Sequence, residues 1–156
     1  MKNLSTKFMM TAVIIGNFSQ AALANDGSVR DVSIQGGARI SVVITDVNVL
    51  SGDVRLGLYN SKMNYKHTQD FRSIDTTASA NTVRLSFENL PAGEYGIRLF
   101  HDIDGNGEFG MNKFGIPTEP YAFSNNAKGL MGPAKWNRVK FNVNADETVV
   151  QTISLK

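Results

Sequence analysis

Asp102-Ile103-Asp104-Gly105-Asn106-Gly107 is the segment whose residue types and spacing come nearest to a recognisable chemistry. Oxygen-bearing side chains at alternate positions can converge on one hard cation, and Gly107 permits the sharp turn that brings the chain round. Asp102, Asp104 and Asn106 take the first, third and fifth places of a calcium loop, with the backbone carbonyl of Glu108 as the natural next ligand. The twelfth place holds Lys113, where an EF-hand needs a bidentate Glu, and no strong helix pair flanks the loop. The loop is therefore not an EF-hand. A calcium ion here needs a distant carboxylate, such as Glu119, to close its shell. The same residues also make a plain tight turn, because Asp, Asn and Gly tolerate positive φ and bond their own backbone.

Other chemistry is sparse. His101 beside Asp102 is a candidate acid–base or ligand group, and with Asp102 or Glu119 it would equip a hydrolase. His67 is the other histidine. Two His without a His-x-x-x-His pair, in a chain with no Cys, argue against zinc. Ser124 lacks the Gly-x-Ser-x-Gly context of a nucleophile elbow. Asp102, Glu119 and Glu94 are carboxylates for glycoside chemistry only if the fold pairs them. Tyr121, Phe123, Ser124, Asn125 and Trp136, with His101 and Glu119, form a candidate loop surface for a protein or small-molecule ligand. Each of these aromatics can equally pack a loop, since each covers a large area.

The elements that must position these residues read as strands. Ala38 to Val49 is rich in β-branched residues, with Ile40, Val42 and Ile44 on one face. Val54, Leu56 and Leu58 alternate with more polar or smaller neighbours. So do Val83, Leu85 and Phe87; Tyr95, Ile97 and Leu99; and Val139, Phe141 and Val143. Val149, Ile153 and Leu155 share a face near the C-terminus, and Val29 to Ile34 is a weaker strand. Turn residues separate the runs at Ser51-Gly52-Asp53, Leu90-Pro91-Ala92-Gly93 and Asn144-Ala145-Asp146. Six or seven such strands predict an all-β domain, two antiparallel sheets packed face to face. Ser61 to Ile74 is the one segment with helical spacing, capped by Ser61; it reads equally well as an irregular loop. Residues 101–136 lack sustained alternation. They carry Phe109, Phe114, Ile116, Leu130 and other apolar side chains, which predicts one long ordered loop packed by its own residues.

Ahead of the domain, Lys2 and Lys7 precede an apolar run from Phe8 to Ile15 and a small-x-small site at Ala22-Leu23-Ala24. That is the layout of a secretory signal peptide, and the run is far short of the roughly 20 residues that span a bilayer. The expected organisation is a signal peptide over residues 1–24 and one domain over 25–156. The mature chain would be periplasmic or secreted, of bacterial type, with no integral membrane span. Cleavage would remove Lys2 and Lys7, leaving fourteen Lys and Arg against fourteen Asp and Glu. A neutral chain without a basic run is expected to have no electrostatic footprint for nucleic acid or anionic lipid. The absence of Cys excludes disulfides and thiol catalysis.

Several segments in fixed order carry a resemblance. They are Leu56-Gly57-Leu58-Tyr59-Asn60, Phe87-Glu88-Asn89-Leu90-Pro91-Ala92-Gly93-Glu94-Tyr95, His101 through Gly107, Gly115-Ile116-Pro117-Thr118-Glu119, Tyr121-Ala122-Phe123-Ser124-Asn125-Asn126 and Gly132-Pro133. Together they resemble the bacterial domain-of-unknown-function family 2141 over about Ile40 to Leu155. The Leu-Pro-x-Gly-x-Tyr turn alone recurs across transthyretin-like and carboxypeptidase-regulatory-like sandwiches. The resemblance implies a secreted, small β-sandwich of transthyretin-like or immunoglobulin-like type and brings no activity with it. Members commonly carry an acidic residue where this chain has Gly110, which removes one prospective ion ligand. The expected function is a non-enzymatic exported binding module, its loop stiffened by calcium or by its own turn. The rival readings are an envelope hydrolase and an assembly subunit that pairs through a sheet edge.

Overall fold

A computed structural model of the chain describes residues 36–156. The expected signal peptide and the weak strand Val29 to Ile34 lie outside the described residues. Among the described residues no helix is long and apolar enough to cross a membrane.

Among the described residues eight strands, where six or seven are expected, form the two sheets that the alternation predicts. β1 (Ala38–Thr45) lies between β4 (Val83–Leu90) and β8 (Thr148–Ser154). The second sheet runs β3 (Arg72–Thr77), β2 (Asp53–Tyr59), β5 (Gly93–Asp102), β6 (Tyr121–Phe123), and β7 (Phe141–Val143) pairs with the start of β5. One pairing departs from the antiparallel expectation: β1 and β8 are parallel. A parallel pair needs a long crossover between its strands, and here almost the whole domain serves as that crossover.

The core between the sheets takes the residues that the period of two selects. Ile40, Val42 and Ile44 meet Val54, Leu56, Leu58, Ile97 and Leu99, all buried. Leu85 and Phe141, expected in the core, are only half-buried at its margin. On β4 the inward face shifts by one residue, because Asn89 takes a positive φ of 53° and forms a bulge. Leu90, not Asn89, therefore continues the core after Phe87.

Two segments resolve differently from their sequence pattern. The Ser61 to Ile74 stretch divides into a short helix, α1 (Lys62–His67), and the start of β3. Ser61 caps α1 as expected, its Oγ accepting the Asn64 N–H at 3.2 Å. Tyr65 is the residue α1 buries, whereas Met63 stays exposed. Val139 is not in a strand: it ends a one-turn helix, α2 (Trp136–Val139), ahead of β7. Trp136 and Val139 stand three apart and both press on β5 at Gly96, where an added Cβ would lie 2.8 Å from the indole.

The stretch 101–136 is likewise not one loop. β5 runs on to Asp102, and β6, a 3₁₀ turn (Ser124–Asn126) and α2 break up the remainder. Between them, part of the chain covers the outer face of the second sheet. There Tyr59, Tyr65, Phe123, Ala134, Trp136 and Val139 make a second, smaller apolar cluster.

Candidate functional site

Asp102 closes β5 with its side chain fully buried. One carboxylate oxygen accepts the Asn106 N–H at 3.1 Å. The other accepts the Gly107 N–H at 2.9 Å and the Arg55 Nε–H at 2.8 Å. Arg55 reaches it from β2 and holds Asp75 of β3 at 2.9 Å with a second nitrogen. Asp104 accepts from Asn106 with both oxygens, and the Asn106 Oδ1 accepts the Glu108 N–H. Glu119 arrives from sixteen residues downstream of Ile103 and accepts that residue's N–H at 3.0 Å and the Gly110 N–H at 2.9 Å. Oxygens of Asp102, Asp104 and Glu119 come within 4.8 Å of one another. The distant carboxylate thus does approach the loop, while the Asn106 side chain is spent on local turn bonds to Asp104 and Glu108. At Gly110 an added Cβ would stand 2.6 Å from the Thr118 hydroxyl and 3.3 Å from Glu119. In this chain Glu119 itself fills the space beside position 110.

Burial pushes the Asp102 carboxyl up, but the Gly107 N–H and the Arg55 guanidinium outweigh it, leaving the group below its usual value. A carboxyl depressed in the folded state adds stability above its unfolded pKa of about 3.9 and loses it as pH falls through the lower folded value. Asp102→Asn should therefore melt below wild type at pH 7, with the gap closing as pH falls below about 4. Thermal melts across that range decide it, and a gap that stays constant with pH would refute the ion pair's contribution.

The other sequence candidates divide by burial. His101 is 1% exposed, and its Nε2 meets the Ser51 carbonyl at 2.7 Å, so that nitrogen carries a proton for a structural hydrogen bond. Adjacent strand residues point to opposite faces, so His101 and Asp102 do not form a pair. The surface role expected of His101 is corrected accordingly. Ser124 is also buried: its Oγ accepts the Ile97 N–H at 2.9 Å and donates to the Val139 carbonyl at 2.6 Å. Asn125 donates through Nδ2 to the carbonyls of Arg138, Val139 and Lys140. Asn126 donates to Thr152 O and accepts from Ser154 N, each at 2.9 Å, and so occupies the outer edge of β8. The Ser-Asn-Asn run is thus a clamp between β5, α2 and β8, with Ser124 buried and Asn125 and Asn126 exposed at the surface. Ser124→Ala should cost about 1–3 kcal/mol, because the buried Ile97 N–H loses its acceptor, while the Val139 carbonyl keeps only Asn125. Urea melts check this, and a neutral result would mean that water replaces the hydroxyl.

Tyr121 and Phe123 do face a groove, in company that sequence reasoning missed. Phe100, Phe109, Tyr121 and Phe123 form a chain of ring contacts with centroids 5.4, 5.6 and 5.8 Å apart. They wall a groove of about 580 Å³ on the outer face of the second sheet. Gly57 lies at its base, where an added Cβ would stand 2.6 Å from Asp70 and 2.9 Å from the Tyr59 hydroxyl. Burial, and then the hydrogen bond to Asp70, hold the Tyr59 phenol far above its ordinary value, so it stays a donor. Arg98 lies 3.7 Å over the Tyr65 ring and donates to the Tyr65 carbonyl at 2.7 Å. A signal was present in the sequence: Arg55, Gly57 and Arg98 break the apolar pattern at outward positions, and glycine inside a strand marks close approach.

No curated protein and no solved structure matches the chain. The bacterial family described as "Uncharacterized protein conserved in bacteria (DUF2141)" matches residues 42–151, from within β1 to within β8. That span takes in both sheets, the Asp102 loop and the groove, and the chain belongs to this family, DUF2141.

Proposed function

We propose that this chain is an exported, non-enzymatic binding module that holds a small organic ligand with a flat ring in the groove of its second sheet. The observation that carries the reading is the aromatic wall over Gly57. The outer face of a sandwich sheet ordinarily meets solvent, whereas here the chain after β5 returns over it and leaves about 580 Å³ between. Pockets of this size with aromatic walls and a few polar groups suit small ligands. Arg55, Asp70 and Arg98 supply the polar groups. The buried His101 and its separation from Asp102 weigh against the hydrolase reading. The Asn126 clamp weighs against assembly through the β8 edge.

The test is an NMR titration with flat-ring probes ranging from indole to phenol and adenine. Amide shifts should concentrate at Gly57, Phe109 and Tyr121, and Phe109→Ala should weaken the binding by about tenfold or more, as the loss of a ring contact implies. Shifts scattered elsewhere, or an unchanged affinity in Phe109→Ala, would refute the groove as the site.

The ion at the Asp102 loop has one support, the approach of Glu119, and one competitor, the Arg55 guanidinium that already neutralises Asp102. The competitor favours a turn pinned from within. Metal-stripped protein should then melt at the same temperature from chelator to 10 mM calcium. Extracellular calcium sites have Kd values of about 10⁻⁴–10⁻³ M, so a bound ion would instead add about 1.4–2.7 kcal/mol. A rise of several degrees that Asp104→Ala removes would give the loop to calcium.

A further inference from the structure

Charge is segregated on this molecule. The Asp102 loop gathers acids, whereas a pocket between α1 and α2 gathers cations. Lys62, Lys66, Arg98 and Lys135 line it, with Tyr65 and Trp136 as an aromatic wall and about 380 Å³ between them. Among the described residues no Asp or Glu lines this pocket. The ion pairs among the described residues join Arg39 to Glu88, Arg55 to Asp75 and Asp102, and Lys140 to Glu94. None of them involves the four cations of the pocket.

Two features make this arrangement costly in the absence of an anion. Lys62 and Lys66 stand at i and i+4 on α1, so like charges face each other, and Lys62 sits in a first turn that has no acid. Arg98, at the boundary between this pocket and the groove, is held by Tyr65 beneath it and by its bonds to the Tyr65 carbonyl and the Thr68 hydroxyl at 3.3 Å. Its Nε–H is buried without an acceptor, the only such side-chain group among the described residues. A fixed guanidinium with donors to spare, in a pocket lined by three exposed lysines, suits a multiply charged oxyanion.

We propose that the α1–α2 pocket binds a phosphate group, carried on a free phosphate ester or on a phospholipid headgroup. The arginine provides fixed donors, the lysines provide charge, and the aromatic wall borders the organic part of the ligand. This site is separate from the ring-binding groove, although Arg98 borders both. A phosphate probe without a ring therefore tests it independently of the groove.

Trp136 is the only tryptophan in the chain and walls this pocket, so its fluorescence reports occupancy. The protein is titrated with inorganic phosphate and glycerol 3-phosphate, against chloride at matched ionic strength. Separate titrations use vesicles of phosphatidylglycerol and of phosphatidylcholine. The proposal expects a saturable change with a phosphate probe and none beyond the ionic-strength background with chloride. The exposed pair Lys62→Gln/Lys135→Gln should not lower the melting temperature while weakening the binding about tenfold or more, as loss of charge-assisted contacts implies. Lys113→Gln, outside the pocket, should leave binding unchanged. Saturation by the soluble phosphates identifies a free ester. Saturation only by phosphatidylglycerol, and not by phosphatidylcholine, identifies a headgroup. Failure of every phosphate probe to exceed the chloride control would overturn the proposal, as would equal affinity in the double variant.

Discussion

Leu58→Ala should destabilise the fold by about 2–5 kcal/mol, the range for removing a buried leucine and leaving part of its volume empty. Leu58 is 0% exposed and packs where both sheets meet, so little around it can collapse into the gap. The same truncation at Leu85 should cost less, because that side chain sits half-buried at the margin and water already reaches part of it. Arg84→Ala, exposed on the other face of β4, should change stability by under about 0.5 kcal/mol. Urea unfolding of the three variants gives the ranking. Equal losses at Leu58 and Arg84 would reject the alternation of faces on which the sandwich rests.

Gly52→Ala should cost a comparable amount by a different route. Gly52 has a φ of 71°, and an added Cβ would lie 2.1 Å from the Asp102 carbonyl oxygen and 3.0 Å from the Ile103 Cα. Both neighbours are backbone, so no side chain can swing away. The left-handed conformation alone costs a residue with a Cβ about 1–2 kcal/mol. Forcing the two segments apart adds about 1–3 kcal/mol, as overpacking does elsewhere. Gly105 separates the two contributions, since its φ is 70° but nothing lies within 4 Å of its Cβ position. Gly105→Ala should thus lose only the conformational part. Equal melting temperatures for the two variants would mean that the turn before β2 yields freely and that the close approach to Asp102 carries no cost.

These two variants also show where local information ends. That Gly105 needs a left-handed turn is legible in Asp-Gly-Asn-Gly, because the dihedral preference belongs to the residues themselves. That Gly52 must lack a side chain depends on a strand end fifty residues away.

The same division runs through the whole molecule. Alternation in Ile40-Val42-Ile44, Val54-Leu56-Leu58 and Ile97-Leu99 determined the two-sheet class, because a strand with one buried face must repeat every two residues. It could not show β3, whose residues Arg72 to Thr77 lie at a sheet edge and are largely exposed, so burial leaves no pattern in them. Strand order was equally hidden. A hydrophobic face says that a strand pairs but not with which partner, and β1 chose β8 from the far end of the chain. His101 and Ser124 carry reactive groups, and their residue types suggested chemistry. Tertiary packing turned both into buried hydrogen-bonding parts. The groove and the α1–α2 pocket belong wholly to tertiary structure. Gly57, Arg98, Phe109 and Trp136 lie on separate elements, and only the return of the chain over the second sheet brings these residues to shared cavities.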